Sequence, residues 1–134
     1  MIGNVNIGAD DIATARTFYD AILLPLGYVV EPFDEGMEYL MPDEPKAVDI
    51  YICRPFNEAP ATAGNGSMIA YQANRQAQVR ELHAAGLAAG GTDEGQPGFR
   101  PTYSPNFYVG YLRDPQGNKL AIFSSNPDEP GRDD

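Results

Sequence analysis

The chain repeats itself. Residues 67–91, SMIAYQANRQAQVRELHAAGLAAGG, follow the pattern of residues 4–27, NVNIGADDIATARTFYDAILLPLG. A shift of 64 positions lays Val5 and Ile7 on Ile69 and Tyr71, Asp10 on Asn74, Phe18 on Leu82 and Gly27 on Gly91. Identity is low, but both copies read as short strand, polar cap, amphipathic helix and exit glycine. A repeated supersecondary unit constrains the fold more tightly than local propensity does.

The rest of each copy follows from alternation and turn chemistry. In residues 2–8, Val5 and Ile7 alternate with Asn4 and Asn6, which predicts a half-buried strand. Asp10 or Asp11 caps the helix that follows, and Ile12, Ala15, Phe18 or Tyr19, and Ile22 form its apolar stripe. Residues 28–32, 37–41 and 47–53 read as strands. Residues 55–65 carry Pro55, Pro60 and Gly64 and few large apolar side chains, which suits a linker. The second half gives a strand over 67–73, a helix over 75–89, a short strand near 91–94, a long loop over 96–106, and strands over 107–113 and 119–124. Asp114-Pro115-Gln116-Gly117-Asn118 is a strong turn signal between the last two. Residues 125–134, acidic and carrying Pro and Gly, are expected to fray.

Each half is therefore β-α-β-β-β, an α+β arrangement. The expected organisation is one domain over 1–124, with modules 1–54 and 66–124, the linker 55–65 and the tail 125–134. A helix covers one face of each sheet and leaves the other free. Two such modules side by side would form a curved mixed sheet, a cup with the helices on its convex side. Alternation turns Asn4, Asn6, Asp49, Tyr51, Cys53, Met68, Ala70, Lys119, Ala121 and Phe123 into that cup. A partly apolar concavity with a few polar groups suits a small molecule.

The totals exclude several classes. Nine basic against nineteen acidic residues leave a formal charge of −10, which opposes nucleic acid. One cysteine, Cys53, cannot form an internal disulfide, and no Cys/His zinc spacing is present. No apolar run approaches the roughly 20 residues of a membrane span, and no signal peptide is evident. A soluble cytoplasmic protein is expected.

The residues Asp11–Tyr28 (DIATARTFYDAILLPLGY), Gly66–Ala73 (GSMIAYQA) and Arg113–Phe123 (RDPQGNKLAIF) together resemble the vicinal oxygen chelate superfamily. That group includes glyoxalase I, the bleomycin and fosfomycin resistance proteins and the extradiol dioxygenases. The likeness is greatest to small bacterial glyoxalase-like proteins. It implies paired βαβββ modules and commonly a homodimer. In metal-dependent members a His near the start of the first strand of each half, and a Glu in the last strand, hold the ion. By that resemblance the ligand positions here are Asn4, Met68 and Ala121. The fourth is reached by matching Val48 and Ile50 to Leu120 and Ile122, which sets Asp49 opposite Ala121. A neutral amide, a thioether and a methyl group are not the imidazoles and carboxylates that zinc, iron or manganese require. Thr102 and Ser104 stand where similar sequences often carry histidine. The resemblance thus implies a cup without a metal centre and no cofactor.

Single residues add little catalytic signal. His83, the only histidine, sits on the second helix with no nucleophile beside it in the pattern. Asp49 can serve as a general base or hold a cation, or be neutralised by Lys119 of the other half. Tyr103 and Arg100 lie on the long loop, which can cover the cup. The candidate ligand-binding set is Asn4, Asn6, Asp49, Tyr51, Met68, Arg100, Tyr103, Lys119, Ala121 and Phe123. The leading expectation is a metal-free binder of a small, cationic or aromatic molecule. The alternative is an enzyme of the same superfamily, a lyase or dioxygenase acting on a vicinal-oxygen substrate with atypical or absent metal ligands.

Overall fold

Each half of the chain closes one four-stranded mixed sheet. The computed structural model describes residues 1–133; Asp134, the end of the expected tail, lies outside them. The first half runs β1 (Asn4–Gly8), α1 (Ile12–Leu23), β2 (Val29–Phe33), β3 (Gly36–Leu40) and β4 (Asp49–Cys53). The second runs β5 (Ile69–Gln72), α2 (Gln76–Ala88), β6 (Thr92–Gly98), β7 (Tyr108–Arg113) and β8 (Lys119–Ser124). The sheet orders are β1-β4-β3-β2 and β5-β8-β7-β6, the same winding twice. β1 runs parallel to β4 and β5 to β8, and the other pairs are antiparallel. The expected curved sheet is thus divided into two, with β1 and β5 each at an edge.

Asp11 starts α1: its carboxylate accepts the Thr14 N–H at 3.0 Å. The helix buries Ala15, Phe18, Tyr19, Ile22 and Leu23; Ile12 of the expected stripe is half-buried, and Leu23 adds to it. These meet Ile7, Ile50, Ile52, Met37 and Tyr39 from one sheet, and Leu112, Leu120 and Ile122 from the other. Burial of each large side chain contributes roughly 1.5–3 kcal/mol, so this shared layer dominates the stability of the fold. Gly86 of α2 lets the halves close. A Cβ there would stand 2.7 Å from Leu112 and 3.3 Å from Phe18 of α1.

Polar bonds fix how the halves meet. The Tyr19 hydroxyl donates to Asp114 at 2.6 Å, in the interior. Asp114 also accepts the backbone N–H groups of Gln116 and Asn118 and the Asn118 amide, each at 2.9 Å. The Asn118 amide donates onward to the Gly8 carbonyl of β1.

Two expectations need correction. β6 reaches Gly98 rather than ending near Glu94, with register shifts around Gly95 that weaken its sequence signature. The tail, as far as it is described, is tied down rather than frayed. α2 has no side-chain cap of its own at Arg75, and Glu129 supplies one, accepting the Gln76 N–H at 2.8 Å. Arg132 donates to the carbonyls of Arg100 and Tyr103 at 2.8 and 2.7 Å, bracing the long loop. Composition predicted fraying because these partners lie far off in sequence.

Asp114→Ala should cost about 3 kcal/mol or more in urea denaturation, since it orphans several buried donors. Tyr19→Phe, which leaves Asp114 its other donors, should cost about 2 kcal/mol or less. Equal losses would contradict the role of Asp114 as the hub. Glu129→Ala should cost about 1 kcal/mol and a few degrees of Tm, as loss of a helix cap does. Asp128→Ala, whose side chain is exposed, is the control expected to change neither.

Candidate functional site

The faces turned away from the helices divide by charge. On the first sheet, cross-strand register sets Asn4 beside Asp49, and Asn6 and Glu38 beside Tyr51. Glu31 faces Glu38 on the next strand. The Glu38 carboxylate beside Tyr51 pushes that phenol up. The Phe33 ring meets Tyr51 edge-on, with centroids 6.2 Å apart. This face is acidic, and among the described residues Asp49 has no ion pair. Neutralisation by Lys119 does not occur.

The second sheet forms the floor of a hollow of about 780 Å³, whose walls include Met68, Arg100, Tyr103, Tyr111, Arg113 and Lys119. A smaller hollow of about 180 Å³ shares Met68 and Lys119 with it and extends to Asn6. Of the expected site residues, Met68, Arg100, Tyr103 and Lys119 therefore line the larger hollow, and Asn6 joins Met68 and Lys119 in the smaller one. Asn4, Asp49 and Tyr51 belong to the acidic face. Ala121 points the right way but is only 1% exposed. Phe123 stacks on Phe107, centroids 5.2 Å apart, and is not part of the wall.

Tyr111 stands at the centre of this hollow. The Lys119 ammonium lies 5.2 Å from its ring centroid and the Arg100 guanidinium carbon 5.6 Å, both within cation–π range. Its hydroxyl donates to that of Tyr103 at 3.4 Å. Burial, with that neighbour, pushes the Tyr111 phenol up to about 12. Arg100 is set by donating to the carbonyls of Gln96 and Phe99 at 2.8 and 3.2 Å. Gly95 makes room for both, since a Cβ there would lie 2.9 Å from the Tyr111 ring and 3.2 Å from the guanidinium. Arg113 is paired with Glu94 at 2.9 Å. Tyr111, Arg113 and Glu94 are wall residues that the sequence reading did not place. The signal was available for two of them: Tyr111 and Arg113 alternate along β7 opposite Ala121 and Lys119.

His83 and Cys53 are structural here. His83 is 2% exposed, and its Nε2 lies 3.1 Å from both the Asp93 carboxylate and the Tyr111 carbonyl, so that nitrogen carries the proton. It braces the strand bearing Tyr111 from behind. Burial and the Glu35 carboxylate push the Cys53 thiol up, the reverse of what a nucleophile needs.

The register also revises the expected metal positions. Asn6 pairs with Tyr51, and its repeat counterpart Ala70 pairs with Ala121. Tyr51, not Asp49, is thus the counterpart of Ala121; a two-residue slip keeps every side chain on its face, so alternation could not detect it. Asn4, Met68, Tyr51 and Ala121 offer no imidazole or carboxylate. Among the described residues no group of three or more His, Cys, Asp or Glu side chains could hold a metal. The donor set does not fit the metal of metal-dependent members.

Known proteins place the chain. No protein-family model matches it, and no curated protein does. A solved structure described as a glyoxalase/bleomycin resistance protein from Albidiferax ferrireducens is 38% identical, with a TM-score of 0.81 over 92% of this chain and 98% of that one. A glyoxalase-related enzyme from Fulvimarina pelagi is 19% identical, with a TM-score of 0.73 over 92% of this chain and 87% of its own. A lactoylglutathione lyase from Agrobacterium tumefaciens is 20% identical, with a TM-score of 0.60 over 92% of both chains. The last two share the fold, and the first shares enough sequence to settle kinship. Two βαβββ modules wound alike, and that degree of identity over nearly the whole length, establish that the chain belongs to the glyoxalase/bleomycin resistance protein family.

Proposed function

We propose that this protein binds a small molecule, without a metal, in the hollow over the second sheet. The observation that carries this reading is the hollow itself. It has a volume of about 780 Å³ and a wall that combines apolar and aromatic surface with positioned polar groups. The lining is more polar than that of most ligand sites, which suits a small polar guest held by the few charged groups. The supports of the wall are rigid: Arg100 is held by two carbonyls, its loop by Arg132, and Tyr111 from behind by His83. A pre-set wall lowers the ordering cost of binding.

The same geometry disfavours the enzymatic alternative. A general base must reach the substrate proton. Asp49 is not in the wall, and Glu94, the carboxylate that is, lies paired with Arg113. A metal-assisted route lacks its ligands.

A screen of small neutral, cationic and anionic aromatics by protein-detected NMR tests the reading. Amide shifts are expected around residues 64–68, 95 and 111, and Met68→Trp, at an exposed position shared by both hollows, should abolish them with little change in Tm. Shifts confined to β2–β4, or unaffected by Met68→Trp, would contradict it.

A further inference from the structure

The formal charge of the chain hides a division between its halves. Residues 1–54 carry ten carboxylates against three bases, and residues 66–124 carry four against five. The second module is therefore slightly basic inside an acidic protein, and its basic groups gather in the hollow. Arg100, Arg113 and Lys119 line it, against the single carboxylate of Glu94. Arg113 and Glu94 satisfy one another at 2.9 Å. Two cations remain over.

Three arginines elsewhere have a carboxylate close at hand, whereas Lys46 and Arg80 have no ion pair among the described residues. Arg16, Arg54 and Arg75 each lie within 4 Å of a carboxylate. Among the described residues neither Lys119 nor Arg100 does. Lys119 is half-buried with its ammonium over the Tyr111 ring, and among the described residues none of its three N–H bonds is donated. Arg100 spends donors on two carbonyls and keeps its charge uncompensated. Two like charges are thus held about one ring with no carboxylate paired to either, which leaves this part of the hollow positive. The carboxylates of the first module do not cancel it at a distance, because screening acts over about 8 Å at physiological salt.

We infer that the ligand of this hollow is a small aromatic anion, its carboxylate or phosphate held by Lys119 and Arg100 and its ring packed among Met68, Tyr103 and Tyr111. This rests on the binding reading above and reverses the charge of the guest that the overall acidity suggested. Lys supplies a compact point charge and Arg a planar fork, a combination suited to an oxyanion.

Three probes of one shape separate the possibilities: 4-hydroxybenzoate, 4-hydroxybenzamide and 4-hydroxybenzylamine, titrated against the full chain by protein-detected NMR at neutral pH. The carboxylate should bind at least about tenfold tighter than the amide or the amine. Lys119→Met, which keeps most of the apolar stem, should weaken the carboxylate about tenfold and leave the amide unchanged. Glu94→Gln removes the competing carboxylate and frees Arg113, so it should tighten carboxylate binding severalfold, a gain that misfolding cannot produce. Amide or amine binding as well as the carboxylate would overturn the charge assignment and leave the hollow as a binding site. Carboxylate affinity unmoved by both substitutions would overturn the assignment to Lys119 and its neighbours. Binding of none of the three at millimolar concentration would overturn this inference and the binding reading together.

Discussion

The buried Asp114 carboxylate, which accepts from Tyr19 at 2.6 Å, is the polar constraint that fixes how the two halves meet. Tyr19 belongs to the first helix and Asp114 to the last turn of the second sheet, so the bond spans the two halves. A buried carboxylate is tolerated only when its lone pairs are occupied, and Asp114 fills them with Tyr19, Gln116 and Asn118. Burial of the Tyr19 phenol beside Asp114 pushes it well above its ordinary range, so it remains a donor. The same turn sits between Arg113, which ends β7, and Lys119, which begins β8. The group that joins the halves therefore also sets the spacing of two cations in the hollow. Stability and site geometry meet in one turn.

The second theme is the asymmetry of a symmetric fold. Both halves wind alike, yet the free face of one is acidic and that of the other cationic and aromatic. Both are enclosed further: Pro55, Phe56 and Glu58 of the linker wall a hollow beside Phe33 and Cys53 of the first sheet, and residues 63–68 and the long loop wall the hollow over the second. That loop is braced by Arg132, and Glu129 three residues earlier caps α2. The terminal segment thus links a helix end to a wall of the hollow. The repeat supplied two equivalent faces, and the segments outside the repeat gave each a hollow of different chemistry.

Much of the fold was legible in the sequence because it rests on local periodicity. Val5 and Ile7, Ile50 and Ile52, and Phe18 and Ile22 mark faces by spacing alone, and the repeat then forces the same module twice. Less of the site was legible. Alternation assigned Asn6, Met68 and Lys119 to the free faces but could not say which residues would share a hollow. It also could not detect the two-residue slip that replaces Asp49 with Tyr51 opposite Ala121 in the repeat. Net charge suggested a cationic guest, whereas the local distribution around Tyr111 points the other way. The tail's role escaped because Glu129 and Arg132 act through partners tens of residues away.

The central claim is that this member of the family keeps the cavity without the metal. Elemental analysis of untagged protein, dialysed after exposure to zinc, nickel, manganese and iron(II), tests it most directly. The account predicts far less than one ion per chain, since Asn4, Met68, Tyr51 and Ala121 cannot supply the required ligands. One ion per chain surviving dialysis would contradict it and would move the functional centre from the hollow around Tyr111 to the site of that ion.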